Sequence, residues 1–162
     1  MISNVWSTLQ YLKQCKDTIS GFDYRILKGK RGNPTALLYM TSRMRYNLIR
    51  FGDIIFIDGQ KRKYNKLNWP YIGPVIKNSD NHIGVTCEAI VTSEDNDTYT
   101  WVFKSMVSIE PRWSLSQLKI LYADGLVCEK VLDNLNISNT CLLHGDFYLF
   151  LKKIGLNQKI LE

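Results

Sequence analysis

Gly52-Asp53-Ile54-Ile55-Phe56-Ile57-Asp58-Gly59 sets four consecutive apolar residues, all β-branched or aromatic, between two Gly/Asp pairs. A run this short, bounded by turn formers, reads as a strand buried on both faces and not as part of a helix. Asp58 is the carboxylate that this strand delivers to the edge of its sheet. The same design recurs at Leu118-Lys119-Ile120-Leu121-Tyr122-Ala123-Asp124-Gly125. Two buried strands that each end in Asp-Gly predict one site built from both.

The 162 residues suffice for one domain with a sizeable core. Apolar residues make up 45%, a globular composition. No stretch is apolar for 18 or more residues, which speaks against a membrane span. Met1 to Cys15 is interrupted by Ser3, Asn4, Gln10 and Lys13, so no signal-peptide core is expected. Cys15, Cys87, Cys128 and Cys141 show no paired spacing and read as reduced thiols of an intracellular protein. Charge is unevenly placed. Arg25 to Lys66 holds eleven Lys/Arg against two acids, Asp53 and Asp58, while the rest holds ten basic and thirteen acidic residues. A basic block around Asp58 fits a polyanionic partner such as nucleic acid; on charge alone, a solvated basic face fits equally.

Along the chain, Ile2, Val5, Trp6, Leu9 and Leu12 recur at helical spacing, with Ser3 or Asn4 as a cap. Phe22–Leu27 and Thr35–Met40 predict a hairpin around the Gly/Pro-rich turn of residues 28–34. Met44, Leu48 and Phe51 predict a short helix with Arg43, Arg45 and Arg50 on its other faces. After the Asp58 strand come a basic connection and a strand over Trp69–Lys77, in which Pro74 predicts a bulge or interrupted ladder. Next is a period-two strand carrying Ile83, Val85, Cys87, Ala89 and Val91. Asp95-Asn96-Asp97 caps a helix with the stripe Tyr99, Val102, Phe103, Met106 and Val107. The Asp124 strand follows, then a helix through Val127, Val131, Leu132 and Leu135, a short strand at Asn139–Leu143, and a last helical stripe at Phe147, Phe150, Leu151 and Ile154.

From Asp53 onward the order is strand, strand, strand, helix, strand, helix, strand, helix. Short turns make the first three strands antiparallel, and helical crossovers make the later ones parallel. That is the strand order of a ribonuclease H-like fold. The expected class is therefore α/β, a mixed five-stranded sheet flanked by helices. A basic helix-and-hairpin extension is expected over 1–50, and the core over 51–162. In such a sheet, parallel neighbours put their carboxyl ends on one ligand-binding edge, and Asp58 and Asp124 both lie there.

Ile57-Asp58-Gly59, Ser93-Glu94 with Tyr99-Thr100-Trp101-Val102-Phe103, Ala123-Asp124-Gly125 and Cys141-Leu142-Leu143-His144 stand in an order and spacing that resemble the catalytic domain of Mutator-like element (MULE) transposases. The likeness covers roughly Phe51 to Phe150. It implies a ribonuclease H-like DNA strand-transfer enzyme with an Asp-Asp-Glu acid trio, in which Asp58 is the first acid and Asp124 the second. Mg²⁺ or Mn²⁺ is the implied cofactor, transposon-end and target DNA the partners, and the nucleus the compartment. A homo-oligomer is compatible with this reading. Two carboxylates at adjacent strand ends suit a pair of metal ions roughly 3.5–4 Å apart. Glu94, just before a helix, is an accessory metal candidate or a residue interacting with the helix N-terminus. Lys61, Arg62, Lys63 and Lys66 are the candidate DNA contacts. Cys141 and His144 match a family motif; they offer only half of a zinc site, and a packing or hydrogen-bonding role is the preferred reading.

The chain also departs from the family pattern. Gln60-Lys61 follows the first Asp-Gly, where the family has a Thr-Tyr or similar pair. The third acid is expected on a helix well beyond the Cys-x-x-His block, and this sequence stops at Glu162. The expected site is therefore incomplete, as in a fragment or an inactive copy. A transposase-derived, non-catalytic DNA-binding or scaffold protein is the alternative.

Overall fold

Three of the chain's strands bend at one level, and that bend organises the molecule. The computed structural model describes residues 2–60, 68–123, 129–137 and 139–144. Its elements are α1 (Ile2–Thr18), β1 (Asp23–Lys28), β2 (Pro34–Met40), α2 (Ser42–Phe51), β3 (Ile54–Ile57), β4 (Gly59–Gln60), β5 (Tyr71–Ile72) and β6 (Val75–Lys77). They continue with β7 (Ile83–Val85), β8 (Glu88–Val91), α3 (Asn96–Ile109), β9 (Ile120–Ala123), α4 (Glu129–Leu135) and β10 (Cys141–His144). One sheet, ordered β1-β2-β8-β5-β4, is antiparallel throughout. The other, ordered β10-β9-β3-β6-β7, is mixed: β10, β9 and β3 run parallel, and β6 and β7 alternate in direction.

Each of the three antiparallel runs crosses from the mixed sheet to the antiparallel one. The breaks fall at Asp58, at Gly73-Pro74 and at Thr86-Cys87. The single strands predicted over Trp69–Lys77 and Ile83–Val91 are thus each divided between two sheets. Pro74 has no N–H to give to a ladder. Its carbonyl instead accepts both the backbone N–H and the hydroxyl of Thr86, each at 2.9 Å. Thr86 and Cys87 are both fully buried, so the period-two alternation fails where the sheet turns.

The strand around which the sequence was read behaves as expected at three of its four positions. Ile55, Phe56 and Ile57 are buried, while Ile54 is partly exposed. Phe56 meets the Tyr122 ring on β9, with centroids 5.7 Å apart. Trp113, which the sequence reading left unassigned, is buried beneath the entry to β3, and its indole N–H donates to the Gly52 carbonyl at 3.2 Å.

The helix-and-hairpin segment is built into the same core. β2 pairs with β8, and Leu38 and Met40 are fully buried in the cluster that holds Ile55, Ile72, Phe103 and Leu121. A small satellite core of Leu12, Cys15 and Phe22 seats α1 against Tyr24 and Tyr39. α3 forms where predicted: Tyr99, Val102, Phe103 and Met106 are all fully buried. Asp95 is its N-cap, accepting from the Thr98 N–H at 2.8 Å and from the Ser93 hydroxyl at 2.7 Å. These bonds, led by the one from Ser93, hold its carboxyl below the ordinary range. Asp95→Ala should therefore cost about 1 kcal/mol in urea unfolding, with little change in m-value. The last predicted helical stripe, at Phe147 to Ile154, lies outside the described residues. Among the described residues no helix is long and apolar enough to cross a membrane.

Candidate functional site

Parallel pairing brings three strand ends to one edge. Ile57 on β3 pairs with Ala123 on β9, and Ala123 pairs with His144 on β10. Register begins where the Asp53 carbonyl accepts the N–H groups of Lys119 and Ile120, at 2.8 and 3.1 Å. Asp58 follows Ile57 directly and is exposed at the bend between β3 and β4. Asp124 is the next residue after Ala123 and lies outside the described residues. The two residues that immediately precede the predicted aspartates are thus ladder partners.

Glu94 approaches the same place from another direction. It lies one residue before the N-cap of α3 and is half-buried. A Cβ built on Gly59 would overlap the Glu94 carboxylate and would lie 2.8 Å from the Tyr99 hydroxyl. The Glu94 head therefore occupies the space that a side chain at Gly59 would fill, one residue from Asp58. Only glycine leaves that room, which gives the second residue of the Asp-Gly pair a steric role beyond turn formation. Tyr99 is fully buried on α3, so the phenol beside the carboxylate is a fixed wall.

Other candidates fare differently. Cys141 to His144 form β10, and in strand geometry residues three apart are separated by about 10 Å along the chain. That is not the turn or helix spacing from which a Cys-x-x-His pair chelates one ion. The Cys141 thiol is exposed, and His82 is exposed in the turn between β6 and β7. Among the described residues no three His, Cys, Asp or Glu side chains converge as a metal centre.

The basic block is only partly available to a partner. Arg45 donates to the buried Glu110 carboxylate at 2.9 Å, and Arg112 grips the same carboxylate at 2.7 and 2.9 Å. Arg25 pairs with Asp23 at 2.9 Å and donates to the Ser108 hydroxyl and carbonyl at the end of α3. Arg43 lies over the Tyr46 ring at 5.5 Å. Lys61, Arg62, Lys63 and Lys66 lie outside the described residues, in the segment that joins β4 to Asn68 and β5. Glu110 was missed by sequence reasoning; the flanking Arg112 was the available signal. No family model matches the chain, and no curated protein or solved structure matches it with statistical support.

Proposed function

We propose that this chain is the ribonuclease H-like core of a Mutator-type DNA transposase, acting on DNA phosphodiesters with Mg²⁺ or Mn²⁺. The observation that carries this reading is the pairing of Ile57 with Ala123 on parallel neighbours, each followed at once by Asp-Gly. The order β7-β6-β3-β9-β10 supports it as well. It sets three antiparallel strands beside two parallel ones, with α3 and α4 in the crossovers, as the ribonuclease H-like reading requires.

The donor set suits a hard divalent ion. Asp58 is exposed at the strand end, and the Glu94 carboxylate lies over the adjacent glycine; both offer oxygen ligands of the kind Mg²⁺ prefers. Asp58, Asp124 and Glu94 would hold the metal. Held there, a divalent ion would supply activation of the attacking water or hydroxyl and neutralisation of charge on the phosphate oxygens. The chain's own contribution is placement: β3 fixes Asp58 through buried neighbours, and Gly59 leaves room for Glu94 beside it. DNA as partner and the nucleus as compartment follow from this reading alone.

Calorimetric titration with Mn²⁺ tests the shared site. Asp58→Asn and Asp124→Asn should each weaken binding, and the double variant should lose little more than either single one. Unchanged binding in both single variants removes the proposal. Mn²⁺-dependent nicking of supercoiled DNA should likewise disappear in Asp58→Asn. DNA binding without any nicking by the unmodified protein would favour the non-catalytic alternative.

A further inference from the structure

Between α1 and the β1–β2 hairpin lies a groove that the transposase reading does not use. We infer that this groove binds unpaired nucleobases of a single-stranded nucleic acid. It encloses about 620 Å³ between the N-terminal half of α1, the hairpin tip and the approach to β5. Its floor is apolar, with Ile26 on β1 and Pro34 at the start of β2. Two indoles, Trp6 and Trp69, line it, and Lys28 and Arg31 supply its charge.

The occupant follows from that combination. Among the described residues no acidic side chain lines the groove, and neither Lys28 nor Arg31 joins an ion pair. Trp6 is 62% exposed. A large aromatic held in water beside cations is the arrangement that stacks bases and neutralises phosphates. Duplex nucleic acid could use the cations but not the indoles, because its bases are already stacked on one another. Unpaired bases can use both. The hairpin tip is held by its own backbone: Gly29 N–H donates to the Asn33 carbonyl at 2.8 Å, and Gly32 adopts φ +76°.

The test uses the full chain and fluorescein-labelled homopolymers of about 12 nucleotides, within the site sizes typical of such grooves. Oligothymidylate and oligouridylate are compared to separate DNA from RNA as the source. Binding should quench tryptophan emission, and its dependence on Trp6 should be confined to the single strand, a duplex of equal length binding Trp6→Ala as well as the unmodified protein. Trp6→Ala should reduce affinity roughly 5- to 100-fold, and Trp6→Phe should retain most of it. Its exposure makes Trp6 a safe position to change, and an unaltered circular dichroism spectrum confirms the fold. Arg31→Gln should lower the salt slope by about 0.7. Asp58→Asn should leave this binding intact, so its outcome is separable from that of the catalytic proposal. Unchanged single-strand affinity in Trp6→Ala, or an equal loss of single-strand and duplex affinity in that variant, would overturn the inference. So would preferential binding of an acidic amphipathic peptide over both homopolymers.

Discussion

Glu110→Ala should destabilise the protein by about 3 kcal/mol, at the lower end of the range for breaking a buried ion pair. The Glu110 side chain is fully buried at the end of α3, where a carboxylate is ordinarily unfavourable because it faces the negative end of the helix dipole. Arg45 from α2 and Arg112 from the following turn offset this. Removing the carboxylate leaves Arg45, only a quarter exposed, without its anion. Arg112 is 71% exposed and returns to water at little cost, which is why the lower end applies. Urea unfolding measures the change; a loss under about 1 kcal/mol would mean that solvent already screens the pair.

The same carboxylate makes stability depend on pH. The hydrogen bonds from Arg112, ahead of that from Arg45, bring Glu110 from its ordinary 4.5 down to about 2. Its folded pKa is lower than its unfolded pKa, so the contribution is complete above about pH 5. It fades as pH falls from the ordinary value towards 2. After discounting for the exposed Arg112, roughly 2 kcal/mol should be lost across that window. Glu110→Gln should flatten this part of the profile. A profile identical to that of the unmodified protein would assign the acid sensitivity to other carboxylates.

Gly59→Ala should displace the Glu94 carboxylate and weaken Mn²⁺ binding on the order of 10- to 100-fold, as loss of a supporting group does at metal sites. The added Cβ would meet Glu94 and the Tyr99 hydroxyl together. Tyr99 is fixed on α3, whereas Glu94 ends a flexible side chain, so Glu94 is the group that yields. Overpacking should also cost about 1–3 kcal/mol. Adding Glu94→Ala to Gly59→Ala should recover part of that stability, because the clash is gone, but none of the metal affinity. Mn²⁺ affinity unaffected by Gly59→Ala would detach Glu94 from the proposed site and leave it a structural neighbour of the α3 N-terminus.

Local pattern carried much of this molecule. The apolar run between Asp53 and Asp58, the Asp95 cap, the α3 stripe and the turn-rich hairpin all form where the sequence places them. Each rests on a signal contained within about ten residues: periodicity, capping chemistry or turn formers. The alternating pattern of Ile83–Val91 also fixed which residues face the core at its second half, where Cys87, Ala89 and Val91 are fully buried.

What the sequence determined by itself, then, was the kind and order of the main helices and strand runs over the described residues, and that two apolar runs end in Asp-Gly. The tertiary structure alone decided that three strands bend together into two sheets. Pro74 announced an interruption, but its consequence depended on Thr86, twelve residues away, capping the orphaned carbonyl across the bend. It also decided that the hairpin shares the main core, because strand periodicity names a buried face without naming the neighbour that β2 finds in β8. Charge counting gave the basic block but not its partners; the Glu110 contact with Arg45 spans 65 residues and exists only once α2 and α3 are packed. The approach of Glu94 to Gly59 was hidden for the same reason: contacts between distant segments are set by packing, which no local pattern encodes.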